Sequence, residues 1–62
     1  MDDLHKLHHL IEHWIEHNEG HIASYEEWAA RADAMDKPEI AAVLREVAGK
    51  TRELNKLFVR AK

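Results

Sequence analysis

Residues 34–40 read Ala34-Met35-Asp36-Lys37-Pro38-Glu39-Ile40, and this stretch decides the fold. Pro38 is the one proline of the chain. It cannot sit inside a helix without removing a hydrogen bond and clashing with the preceding turn, and it pushes the residue before it toward extended backbone. Asp36-Lys37-Pro38-Glu39 has the form of a capping box with proline in the first turn, where its missing N–H costs nothing. On both sides of this punctuation the apolar residues recur at helical spacing. The sequence therefore predicts an all-α protein with one helix over about 2–34 and a second over about 37–60. So short a connection makes them antiparallel neighbours, an αα-hairpin.

Upstream of the turn, Asp2 and Asp3 stand where an N-cap and a first-turn acid are favoured. With successive residues about 100° apart, Leu4, Leu7, Ile11, Trp14, Ile15, Ile22, Tyr25, Ala29 and Ala32 fall in one stripe. Two signals argue for a break at 18–23, which would give a three-helix bundle. Gly20 could follow a helix end, and Ser24-Tyr25-Glu26-Glu27 has the S-x-x-E form of a capping box. Against a break, the stripe keeps its phase across this segment, and a loop would scramble it. One continuous helix is the expectation, with Gly20 costing about 1 kcal/mol relative to Ala. Asn18 lies at the centre of the stripe, where two consecutive steps of four make a stutter. It reads either as a buried register-fixing amide or as a partner that orients an imidazole by hydrogen bonding.

Downstream, Ile40, Val47, Leu54 and Ala61 share one heptad position, Val43 and Leu57 the next, with Leu44 and Phe58 alongside and Lys50-Thr51 interrupting. Charge suits the pairing: residues 1–36 carry Lys6 and Arg31 against nine acids, and residues 37–62 carry seven bases against Glu39, Glu46 and Glu53. The first helix would be about 50 Å long and the second about 36 Å. Leu4, Leu7, Leu10 and Ile11 would then overhang uncovered. A second copy cures this, so the expected assembly is a homodimer of hairpins forming a four-helix bundle.

Composition narrows the function. Sixty-two residues are expected to make one domain, 1–62, whose core is marginal without a staple. There is no cysteine, so disulfides and thiolate zinc sites are excluded. Nine of the apolar residues are alanine, which thins the core further. No apolar run reaches the ~20 residues needed to span a bilayer, and no signal-peptide core follows Met1. A cytoplasmic protein is the default. Arg45, Lys50, Arg52, Lys56, Arg60 and Lys62 form a basic face, but the net charge is −3 and no aromatic platform interleaves them, so no nucleic-acid role is expected.

All six histidines fall between residues 5 and 21. His5, His9, His13, His17 and His21 are spaced by four, with His8 beside them. Residues i and i+4 are neighbours on a helix, so two such imidazoles can converge on one divalent ion. The ladder drifts about 40° per step. His5 and His9 face outward with Glu12 and Glu16, while His13, His17 and His21 approach the apolar edge near Trp14 and Trp28. The three cannot close one site on a straight helix, because the first and last lie about 12 Å apart. The natural unit is one pair, completed across a dimer or by water. The expected metal residues are His13, His17, His21 and His9, with His5, Glu12 and Glu16 in secondary roles. Imidazole suits Ni, Zn, Co and Cu, with Ni or Zn expected first. The alternative is a structural dimerisation module whose histidines are solvated or pH-responsive.

No enzyme is expected. His9-Leu10-Ile11-Glu12-His13 and His13-Trp14-Ile15-Glu16-His17 match the H-x-x-E-H zinc-protease pattern, but a chain this short leaves no room for a substrate cleft. No Glu stands three residues before a His, so the E-x-x-H signature of di-iron bundles is absent.

The string His13-Trp14-Ile15-Glu16-His17-Asn18-Glu19-Gly20-His21, followed by Trp28, resembles small prokaryotic helical domains with an H-W-I-E-H-N-x-x-H signature, associated with nickel-binding maturation proteins of the CooT type. The resemblance covers about residues 4–35. It implies metal handling, with nickel as a candidate and a metalloprotein-maturation partner, and would carry over to His13, His17, Asn18 and His21. Gly20 and Ile22 depart from a more polar pattern.

Overall fold

The computed structural model describes residues 2–62 and contains two helices, α1 (Asp3–Ala34) and α2 (Pro38–Ala61), packed as an antiparallel hairpin. α1 is one unbroken helix of 32 residues, so the three-helix alternative with a break near 18–23 is corrected. Gly20 stays helical because the apolar stripe is in phase on both sides of it. An added Cβ there would meet nothing within 4 Å.

The turn differs from the capping-box reading. The cap residue of α2 is Lys37, with no side-chain cap hydrogen bond, and Pro38 takes the first turn. Asp36 instead ends α1 in the left-handed region, with φ of 61°. The Lys37 N–H donates to the Ala32 carbonyl at 2.8 Å and the Asp36 N–H to the Asp33 carbonyl at 3.0 Å. This is the Schellman closure, in which an αL residue usually filled by glycine satisfies the orphan carbonyls of the last turn. Aspartate is among the few side chains that tolerate that conformation.

The seam between the helices is built of small residues. Ala29, Ala32 and Ala41 are buried together against Leu44 near the turn, and Ala48 continues the line. Methyl-sized contacts let the helices approach closely but bury little area. Ile11 and Ile22 are the larger buried apolar residues, and among the described residues no large side chain is fully buried. The one buried polar residue among them is Asn55. It accepts a hydrogen bond from Asn18 Nδ2 at 2.9 Å and donates to the Ile15 carbonyl at 3.1 Å. The stutter at Asn18 is thus matched by an amide on α2, an interhelical pair that fixes register.

The α2 seam is therefore Ala41, Leu44, Ala48, Thr51, Asn55 and Phe58, rather than the line through Ile40, Val47 and Leu54 read from the heptads. Those residues, with Val43 and Leu57, are exposed. On α1 the wide stripe divides: Ile11, Ile22, Ala29 and Ala32 turn to α2, while Leu7, Leu10, Trp14 and Trp28 remain open to solvent.

The hairpin is one layer thick, its Cα trace measuring 53 × 15 × 9 Å. One broad face is charged: Arg52 pairs with Glu26, Arg45 with Asp33, and Lys62 with Glu12 at 3.5 Å. The opposite face carries most of the exposed large apolar residues of both helices, while Val59 lies beside Arg52 and Lys56. The Lys62–Glu12 contact also marks where α2 runs out, so the first turns of α1 extend beyond it, with Leu4 67% exposed.

Candidate metal centre

The histidine ladder lies on α1 because its period of four nearly matches the helix, and the residual drift distributes it around the cylinder. His17 and His21 are carried onto the apolar face. Their Nε2 atoms lie 3.0 Å apart, within hydrogen-bonding distance. One imidazole must then present an N–H and the other a bare nitrogen. The rings meet edge to face with centroids 4.4 Å apart. His13 stacks beyond His17 at 6.4 Å, and Tyr25 lies nearly parallel to His21 at 5.9 Å. The result is a column of four rings along one edge of α1.

The geometry of the inner pair suits a shared ion. Two nitrogens held at about 2.0–2.1 Å from one metal are about 2.9 Å apart at a right angle and about 3.4 Å apart at the tetrahedral angle. The observed separation of 3.0 Å lies within that span. A metal could replace the shared proton with small side-chain adjustments. The pair supplies two ligands only. Among the described residues, no group of three or more His, Cys, Asp or Glu side chains converges on a point that could hold an ion.

The remaining candidates separate from this pair. His9, Glu12, His13 and Glu16 line an open groove of about 310 Å³ with Ile15 and Lys62. There the Lys62 ammonium is drawn to Glu12, a cation standing among the carboxylates that a metal would need. His5 is exposed on the overhang of α1. Asn18 gives its amide N–H to Asn55 and lies in the interhelical seam. Of the residues singled out by spacing, the fold brings together His17 and His21, with His13 adjacent.

Sequence reasoning missed the setting of that pair. His21 belongs to the heptad line Leu7, Trp14, His21, Trp28 and Met35, and those four flanking residues are 40% or more exposed. The signal was present as steps of seven, but it was absorbed into a single wide stripe. Trp14 leans on Phe58 with centroids 5.8 Å apart. Arg31 covers the Trp28 ring at 4.7 Å while pairing with Glu27.

The chain belongs to the DUF8180 family, a domain of unknown function whose match spans residues 7–62. A relative from Archaeoglobus fulgidus, described as an uncharacterized protein, is 41% identical over 56 residues, covering 90% of this chain and 89% of the relative. No solved structure matches. Among the described residues no helix is long and apolar enough to cross a membrane.

Proposed function

We propose that this protein binds a divalent transition metal through His17 and His21, as a small cytoplasmic carrier, buffer or sensor, and that it does so as a homodimer of hairpins closed into a four-helix bundle. The observation that carries the reading is the 3.0 Å approach of the two Nε2 atoms, on a helix whose other histidines do not form such a pair. Nickel and zinc are the leading metals, since imidazole suits both and no thiolate is present to select between them. A carrier would pass its ion to a metalloprotein during maturation. A two-ligand site accessible from one side suits such transfer better than a closed four-ligand cage.

The test is a thermal melt with and without Ni²⁺ or Zn²⁺, repeated on His17→Ala. Metal at 100 times its dissociation constant adds about 2.7 kcal/mol to stability. The wild-type melt should rise and that of His17→Ala should not. A melt unchanged by Ni²⁺, Zn²⁺, Co²⁺ and Cu²⁺ overturns the reading. The exposed apolar face favours a second reading, a structural dimerisation module with no metal. It predicts a stable dimer whose melt ignores metal and responds equally to His17→Ala and His5→Ala.

A further inference from the structure

Each helix carries two heptad seams. One closes the hairpin, through Asn18, Ile22 and Ala29 on α1 and Ala41, Ala48 and Asn55 on α2. The second lies one residue toward the N-terminus on both helices. On α1, Leu7, Trp14, His21, Trp28 and Met35 recur by seven, and Leu10, His17, Ser24 and Arg31 stand three residues after the first four of them. On α2 the same step leads to Ile40, Val47 and Leu54, with Val43 and Leu57. One residue turns about 100° around a helix. Because the helices run in opposite directions, the two turns end on the same side of the hairpin. Steps that alternate between three and four are those of a coiled-coil contact, and on this side nothing in the chain itself supplies the other half. Val59 lies apart, beside Arg52 and Lys56. We infer that a second copy supplies it, with α1 packed against α1 in antiparallel fashion and the two-fold axis level with residue 19, midway between His17 and His21.

The seam is self-complementary in this register, as an isologous interface requires. Each member of one heptad line faces a member of the other: Leu7 meets Arg31 of the second copy, Leu10 its Trp28, Trp14 its Ser24 and His17 its His21. The sizes agree, with bulky Trp14 against small Ser24. Arg31 lends only its stem to Leu7, because its guanidinium is held by Glu27 and lies over the Trp28 ring. The axis also falls at the middle of α1 (Asp3–Ala34), so the two copies of α1 overlap along nearly their whole length. The next register that matches the two lines slides the helices by seven residues, about 10 Å, and uncovers that length at each end.

The hairpin's own register decides which helices face each other. Asn18 stands opposite Asn55, which puts Ile40 level with Asp33 of its own chain. Across the axis that is the level of His5 of the second copy, where Leu4 and Leu7 overhang. With both turns at the same end, α1 would instead face α2 of the second copy. That helix stops near the level of Ile11, and Leu4, Leu7 and Leu10 of both copies would stay open. The histidines fit the same axis. In one chain the His17–His21 pair has no third ligand converging on it among the described residues. Here the helical rise puts all four of these histidines within about 3 Å of the axis level. The two copies of His17 are then no further apart along the helices than His17 and His21 of one chain, whose Nε2 atoms lie 3.0 Å apart. A divalent ion at the axis takes imidazoles from both copies. That last step rests on the metal reading above, whereas the register stands without it.

The chain has no cysteine, so introduced thiols report the register directly. Leu7→Cys and Arg31→Cys, mixed and oxidised without metal, should form a disulfide-linked heterodimer, because facing seam positions approach the Cα separations of about 4.4–6.8 Å that a disulfide needs. Each variant alone should stay uncrosslinked, since its two copies lie about 36 Å apart along the helices. Arg31→Cys mixed with Val43→Cys should also stay uncrosslinked. If that mixture links instead, the turns lie at the same end and the proposal is overturned. No crosslink in any mixture overturns it as well. Wild-type protein titrated with Ni²⁺ or Zn²⁺ should saturate at one ion per two chains. Saturation at one ion per chain, with Leu7 still linking to Arg31, overturns the shared ion and keeps the register. Linking of Leu7 to Arg31 with no uptake of either metal overturns the metal reading above and leaves the antiparallel dimer standing.

Discussion

The two broad faces of the hairpin are made from the same helices and differ in what they leave undone. On the charged face, the acids Glu12, Glu26 and Asp33 of α1 find Lys62, Arg52 and Arg45 on α2. The chain completes these contacts by itself. On the opposite face large apolar residues of both helices are left partly exposed, although Trp14 leans on Phe58 and Arg31 covers the Trp28 ring. The seam between them is mostly alanine, which sets the helices close together but contributes little, at roughly 0.8 kcal/mol per buried methylene. Most of the burial available to this sequence is therefore held on a face that the single chain does not use. Where a chain keeps its largest side chains outside its own core, stability and assembly become one quantity, and whatever acts on that face acts on both.

The largest expected effect breaks the apolar face. Leu7→Asp changes a side chain that is 46% exposed in the hairpin. If the face is an interface, the substitution buries an unpaired carboxylate, at a cost of about 3–5 kcal/mol in each copy. Sedimentation should then show only the 7.2 kDa chain, with a melt lowered by tens of degrees. An unchanged melt would mean that the hairpin stands alone and that the exposed residues are idle.

The amide pair between the helices comes next. Asn55→Ala removes the partner of Asn18 Nδ2 and of the Ile15 carbonyl in a partly buried seam, a loss of about 1–3 kcal/mol. Replacing both Asn18 and Asn55 by Leu removes the unmet donors as well and should recover most of that loss, while weakening the control of register. Hydrogen exchange and melting of the three variants measure this. If Asn55→Ala alone were neutral, the pair would not be holding the helices in place.

Much of this fold was legible. Pro38 with its flanking acids placed the turn within a residue of where α2 begins, and the unbroken phase of Ile15, Ile22 and Ala29 across Gly20 gave a continuous α1. The facing of α2 was not legible. Ile40, Val47 and Leu54 make the most hydrophobic line, and periodicity selects the most hydrophobic line. The hairpin instead buries Ala41, Ala48 and Asn55, because small residues permit close approach and Asn55 answers Asn18. Read the other way, Asn18 and Asn55 were the clue: each breaks an otherwise apolar position, and two such breaks on facing helices belong opposite each other. At the candidate site, the i,i+4 spacing offered two pairs, His13 with His17 or His17 with His21, and could not choose between them. The drift of a four-residue period around the helix had to be read against two seams, and the sequence had shown one.

A smaller effect sharpens the contrast by leaving both faces alone. Gly20 lies on the outside of α1, away from α2 and from the apolar face, with open space around its Cα. Gly20→Ala should stabilise the protein by about 1 kcal/mol through backbone entropy and helix propensity, raising the melt by several degrees with no change in association or metal uptake. A destabilised variant would mean that residue 20 is not helical in solution, and the continuity of α1 would fail with it.

The smallest expected effect belongs to the charged face. Arg52 and Glu26 form its central ion pair, each side chain about half exposed at 49%. Water competes for both groups, the two long side chains lose rotamer freedom to meet, and salt screens what remains, so such pairs are commonly worth about 0.2–1 kcal/mol. Arg52→Ala should lower the melt by a few degrees at low ionic strength and by less at 1 M salt, where the Debye length falls to about 3 Å. Leu7→Asp should be nearly insensitive to that change, because its cost is desolvation rather than screened attraction. Melting both variants across a salt series therefore separates the two faces by mechanism. If Arg52→Ala proved as damaging as Leu7→Asp, the charged face would be the buried one, the hairpins would pack through it, and the His17–His21 pair would look out to solvent.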